Sequence, residues 1–163
     1  MKRVVAVLVL VAMLVGFALS EDWQDGLEPY YVICNPKSWT NVRDFPNKKQ
    51  PVTGRLEYGE EVWSDGQRKN GYVHVYGLNN EAGEGWVYHL YLDIWEPMDD
   101  VEGWYFNTSK SRVALRNGVN GKRIGWLKPD SKIYVLGMTA EWAVTDIGYL
   151  KADYLEEIAD EKK

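Results

Sequence analysis

The sequence predicts an all-β protein made of two small units in tandem. Two observations carry this: beyond residue 20 no stretch of ten or more residues has helical apolar spacing, and short apolar and aromatic runs alternate with Gly, Pro and Asn. A third is internal, because the two halves of the chain repeat one another. In the first half, the runs Tyr30–Ile33, Thr40–Arg43, Val52–Leu56, Glu61–Trp63, Tyr72–Tyr76 and Gly85–Tyr88 read as strands. In the second half, Asn117-Gly118 and Asn120-Gly121 mark tight turns, since Gly takes positive φ without steric cost and Asn tolerates it.

The N-terminus reads as an export signal. Lys2 and Arg3 precede an apolar run from Val4 to Leu19, and the small residues Ala18 and Ser20 suit cleavage after Ser20. The run is shorter than the roughly 20 apolar residues a bilayer span requires, which favours cleavage over a retained anchor. The expected organisation is a signal peptide over 1–20, a first unit over 21–95, a linker over 96–102, a second unit over 103–158 and a charged tail over 159–163. Loss of residues 1–20 removes two of 19 basic residues and none of 24 acidic ones, leaving 17 minus 24, or −7. That sign argues against nucleic acid, whose phosphates demand clustered Lys and Arg. A single cysteine, Cys34, cannot close an intramolecular disulfide, so stability must come from buried side chains. Cys34 itself sits in an apolar context and reads as buried.

The repeat aligns Gly85-Trp86-Val87-Tyr88-His89-Leu90-Tyr91-Leu92 with Gly148-Tyr149-Leu150-Lys151-Ala152-Asp153-Tyr154-Leu155 without a gap. Gly54 and Leu56 match Gly125 and Leu127, Val62 matches Ile133, and Thr40-Asn41-Val42-Arg43 matches Val113-Ala114-Leu115-Arg116. The order Asn-Val-Arg, Gly-x-Leu, a Gly-led turn into an apolar strand, then Gly-Trp-Val with Tyr-Leu six residues after the Gly resembles the signature of bacterial SH3 (SH3b) domains. It covers about residues 28–95 and 103–158. The second copy departs at Asp130, where the first has Gly59, and at Tyr149 in place of Trp86. The resemblance implies two tandem small SH3-like β-barrels and recognition of cell-wall peptidoglycan or its peptides by a secreted protein that associates with the wall. The alternative is a protein-interaction module that captures a peptide segment of another exported protein.

No catalytic or metal-binding set is expected, and no cofactor. A cysteine peptidase of the kind often fused to such domains needs a helix-borne Cys and a His base, whereas Cys34 lies in strand context. Only His74 and His89 are present, without zinc-ligand spacing. The candidate binding residues come instead from strand alternation. In Tyr72-Val73-His74-Val75-Tyr76 the valines share one side, so Tyr72, His74 and Tyr76 share the other; in the closing strand Val87 turns inward and sends Trp86 and Tyr88 outward. These five side chains should form an exposed aromatic face. Aligning Trp142 and Val144 with Val73 and Val75 puts Glu141, Ala143 and Thr145 at the outward positions of the second copy, with Lys151 replacing Tyr88, so the rings should face outward on the first unit alone. Arg43 and Arg116 read as braces for the loops that follow them, and Trp95 and Trp104 as the side chains that pack the units together. Asn107-Thr108-Ser109 fits a glycosylation sequon and reads as a chance match.

Overall fold

A computed structural model describes residues 26–159. The expected signal peptide lies outside the described residues, as does the tail from residue 160 on. Among the described residues there is no α-helix. The first half forms β1 (Glu28–Val32), β2 (Trp39–Arg43), β3 (Val52–Glu57), β4 (Glu61–Ser64), β5 (Arg68–Lys69), β6 (Tyr72–Tyr76), β7 (Glu84–Tyr88) and β8 (Leu92–Asp93). The second forms β9 (Gly103–Asn107), β10 (Val113–Arg116), β11 (Arg123–Leu127), β12 (Lys132–Met138), β13 (Trp142–Thr145), β14 (Gly148–Lys151) and β15 (Leu155–Glu157).

The two antiparallel sheets have the same topology. The first runs β3-β2-β7-β6-β4-β1-β8, with β5 paired to β6, and the second runs β11-β10-β14-β13-β12-β9-β15. Each sheet is open, since its two outermost strands are not hydrogen-bonded to each other. A one-turn 3-10 segment precedes the last strand in both, at His89–Tyr91 and Ala152–Tyr154. Even the irregularities repeat: a β-bulge falls between Val42 and Arg43 in one half and between Leu115 and Arg116 in the other.

Each sheet buries one face around its own core. In the first, Val42, Val62, Val73, Val75 and Val87 meet Tyr30 and Leu92. In the second, Leu115, Ile133, Val135, Ala143 and Leu150 meet Tyr105. Valines dominate the first core, because β-branched residues fill a pleated, half-buried surface well.

A third apolar cluster joins the halves. Ile33, which follows β1, and Tyr58, in the β3–β4 turn, pack against Val119, Trp142, Val144 and Tyr149 of the second half. Polar contacts cross the same boundary: Tyr58 Oη donates to the Met138 carbonyl at 3.4 Å and Thr139 Oγ1 donates to Asp93 Oδ2 at 3.2 Å. Gly118 sits so close to Leu90 that a Cβ there would lie 2.5 Å from the leucine Cβ. Trp95 and Trp104, expected to do this packing, are 43% and 52% exposed. The linking segment attaches through its backbone instead, Met98 N–H donating to the Met138 carbonyl at 2.7 Å.

Candidate functional site

β6 and β7 pair in the register Tyr72↔Tyr88, Val73↔Val87, His74↔Trp86, Val75↔Gly85 and Tyr76↔Glu84. The three valines enter the core, so alternation sends Tyr72, His74, Tyr76, Trp86 and Tyr88 to the opposite face together. There the rings form two groups in one row, Tyr72 with Tyr88 and His74 with Trp86 and Tyr76. Centroids lie 5.3 Å apart for Tyr72–Tyr88, 4.7 Å for His74–Trp86 and 4.8 Å for His74–Tyr76.

The face is not an open one, which corrects the sequence expectation. Tyr72 is only 8% exposed and Trp86 9%. The rings shield one another across the strands, and Arg43 on β2 lies directly opposite Trp86. The segment after β2 then folds over: Pro46 is buried, its carbonyl accepts a hydrogen bond from Asn70 Nδ2 at 3.2 Å, and the Arg43 guanidinium donates to the Gln50 carbonyl. His74 and Tyr76 are drawn into local contacts. His74 Nε2 stands 3.9 Å from the Glu84 carboxylate, and Tyr76 Oη donates to Asp65 Oδ2 at 3.2 Å. Burial, with that carboxylate beside it, raises the Tyr76 phenol above its ordinary pKa.

What stays open is a cleft of about 580 Å³ at one end of the row. Its aromatic wall is Tyr72, Tyr88 and Tyr91. Asn41, Asn47 and Asn70 bring side-chain amides, while Arg43 and Lys48 bring positive charge. Of the five residues expected from sequence, Tyr72 and Tyr88 line this cleft; His74, Tyr76 and Trp86 stand behind it. The loop Pro46–Lys48 and Asn70 escaped sequence reasoning, although Asn70-Gly71 carried a signal. Both residues have positive φ, 53° and 79°, as expected for an Asn-Gly hairpin turn. Such stacking rings beside amide donors and acceptors can hold a planar or extended polar ligand by its faces and edges.

The second half corrects the expected comparison of the two copies. β13 and β14 pair as Trp142↔Lys151, Ala143↔Leu150, Val144↔Tyr149 and Thr145↔Gly148. Gly148 corresponds to Gly85, so Ala143 takes the core place of Val73, and Trp142 and Val144 take the places of Tyr72 and His74. Glu141, Ala143 and Thr145 are not the outward set. All four residues of β13 are buried, because the first half covers the face that alternation would leave to solvent. With both faces apolar, the period of two no longer fixes the register.

Three further readings find their place. Arg116 Nη1 donates to the Gly121 carbonyl at 2.8 Å, as Arg43 does to Gln50, so both arginines brace the following loop. Cys34 is buried, and burial pushes its thiol up to about 11. Asn107 is wholly buried, with Nδ2 donating to the Lys128 carbonyl at 2.8 Å and Oδ1 accepting from Ser109 N–H at 2.9 Å, so the folded sequon offers no free amide.

Neither a family model nor a curated protein matches this sequence. Among solved structures the chain is similar to NlpC2 from Trichomonas vaginalis, with 13% identity over 81% of this chain and 48% of that one and a TM-score of 0.34. It is likewise similar to NlpC1 from the same organism, with 15% identity over 85% of this chain and 48% of that one and a TM-score of 0.35. The chain thus spans about half the length of these relatives.

Proposed function

We propose that the protein is an exported, non-catalytic binding protein built from tandem bacterial SH3-like units, and that it recognises cell-wall peptidoglycan or its peptides through the cleft on the first half. The observation that carries this reading is the meeting of Tyr72, Tyr88 and Tyr91 with the amides of Asn41, Asn47 and Asn70 around one open volume. Peptidoglycan offers what such a surface binds: flat acetamido sugars and extended peptides with unpaired amides. Burial of Cys34, which pushes its thiol up to about 11, disfavours a thiolate nucleophile at that position near neutral pH. Export is supported by Lys2, Arg3, the apolar run and the small residues at 18 and 20.

The test is retention of the purified protein on insoluble peptidoglycan, with Tyr88→Ala and Tyr91→Ala as variants. Neither ring is deeply buried, so each can be removed without opening the core. Retention by the wild type and roughly tenfold weaker binding by each variant, equivalent to about 1.4 kcal/mol, is the expected result. A wild-type protein that washes through would overturn the wall reading. Capture of a defined peptide from an exported protein by the same tyrosines would then replace it.

A further inference from the structure

The strand positions that build the cleft on the first half recur on the second, though its loop residues do not. Arg43 lies opposite Trp86 across β2 and β7; Arg116 lies opposite Tyr149 across β10 and β14, after the same bulge. Tyr72 faces Tyr88, and Trp142 faces Lys151. Tyr91 and Tyr154 each end the 3-10 turn that follows. All three equivalent pairs, Arg43 with Arg116, Tyr72 with Trp142 and Tyr91 with Tyr154, line a cleft in their own half; in the second half its volume is about 280 Å³.

Both clefts are lined by cations and by no carboxylate, with Arg43 and Lys48 in the first. At the place of Tyr88 the second carries Lys151, whose ammonium lies 4.5 Å over the Trp142 ring, and Arg112 joins the lining beside Arg116. Arg123 stacks 4.5 Å over Trp126, a further wall residue. No carboxylate lines the cleft; Glu141, just outside it, pairs with Lys151. With Lys151 held by Glu141, Arg112 and Arg116 leave an excess of positive charge at one small aromatic cavity, in a chain of net charge −5. The hydroxyls of half-buried Ser109 and exposed Ser111, 3.4 Å apart, complete the polar lining. We infer that this cleft is a second binding site, which takes a peptide bearing a carboxylate: the acid group against Arg112, the chain along Trp126 and Tyr154. This site does not depend on the wall reading of the first.

The experiment is a titration of the ¹⁵N-labelled full chain, followed by amide shifts, with N-acetyl-Ala-Glu-Ala-amide and its uncharged counterpart N-acetyl-Ala-Gln-Ala-amide. The expected result is saturable shifts at residues 109–116, 151 and 154 with the Glu peptide. Binding of the Gln peptide, and of the Glu peptide to Arg112→Gln, should be roughly tenfold weaker, the size of one lost charge-assisted hydrogen bond. Arg112 is exposed, so its replacement leaves the fold intact. Equal response to both peptides, absence of saturable shifts, or shifts confined to Tyr72, Tyr88 and their neighbours would overturn the proposal. Shifts that persist in a protein that fails to bind peptidoglycan would sink the wall reading and leave this one standing.

Discussion

Asp93 is buried where the two halves meet, and it keeps both carboxylate oxygens occupied. Oδ1 accepts from Ile94 N–H at 2.8 Å and Oδ2 from Thr139 Oγ1 at 3.2 Å. Burial outweighs these bonds and raises its pKa above the ordinary value of 3.8. A folded pKa above the unfolded one means that the native state holds the proton more tightly. The stability from this group is therefore present at low pH and lost as pH rises through the folded value. Asp93→Asn removes that dependence, because its amide can still accept from Ile94 and donate to Thr139 Oγ1. The melting temperature of the variant, taken relative to wild type, is expected to rise between pH 3 and pH 7; a fall over that range would contradict the assignment. At this scale single residues were legible where chemistry constrains them strongly. A lone cysteine among apolar neighbours is buried, and an arginine at a repeated bulge braces the next loop. Asp93 was not legible, since its partner Thr139 is remote in sequence and belongs to the other half.

Strand alternation was readable where one face of a strand is apolar and the other polar or aromatic. Val73, Val75 and Val87 fell to the core for that reason, and they fixed the places of Tyr72, His74, Tyr76, Trp86 and Tyr88 on the opposite face. What alternation could not report is how far the loop after β2 would fold back over that face. β13 gave no readable phase because the two halves enclose it from both sides. Gly85 and Gly148, by contrast, matched one another in sequence and have the same structural cause. A Cβ at Gly85 would lie 2.4 Å from Val42 Cγ1 and 3.2 Å from the Arg43 carbonyl oxygen. At Gly148 it would lie 2.6 Å from the Arg116 carbonyl oxygen, in a residue with φ of 149°. A valine methyl can shift, but the backbone of β10 cannot. Both alanine substitutions are expected to destabilise, by about 1–3 kcal/mol, with Gly148→Ala the worse. Urea denaturation of the two variants measures the order, and the reverse order would refute this account of the closing strand.

The duplication itself could be read from the sequence, because Gly-x-Leu, the arginines and the Tyr-Leu endings keep their order in both halves. The contact between the copies could not. It rests on Ile33, Tyr58, Val119 and the face of β13, positions in turns or in strands without a distinguishing pattern. Burial raises the Tyr58 phenol to about 12, and a Cβ on Gly137 would lie 2.4 Å from the Tyr58 hydroxyl oxygen. Such close fitting couples the halves, so the chain is expected to melt in one calorimetric transition. Tyr58→Ala is expected to separate it into two or to broaden it markedly. An unchanged single transition would mean that Tyr58 contributes little to the coupling. The same tyrosine also gives the contact between the copies a direction. A plug on one repeat that enters a socket on the next is a heterologous contact, which propagates into a fibre when every repeat carries both parts. Here the second repeat has Pro129 where the first has Tyr58. It receives a plug and offers none, so the contact runs in one direction only.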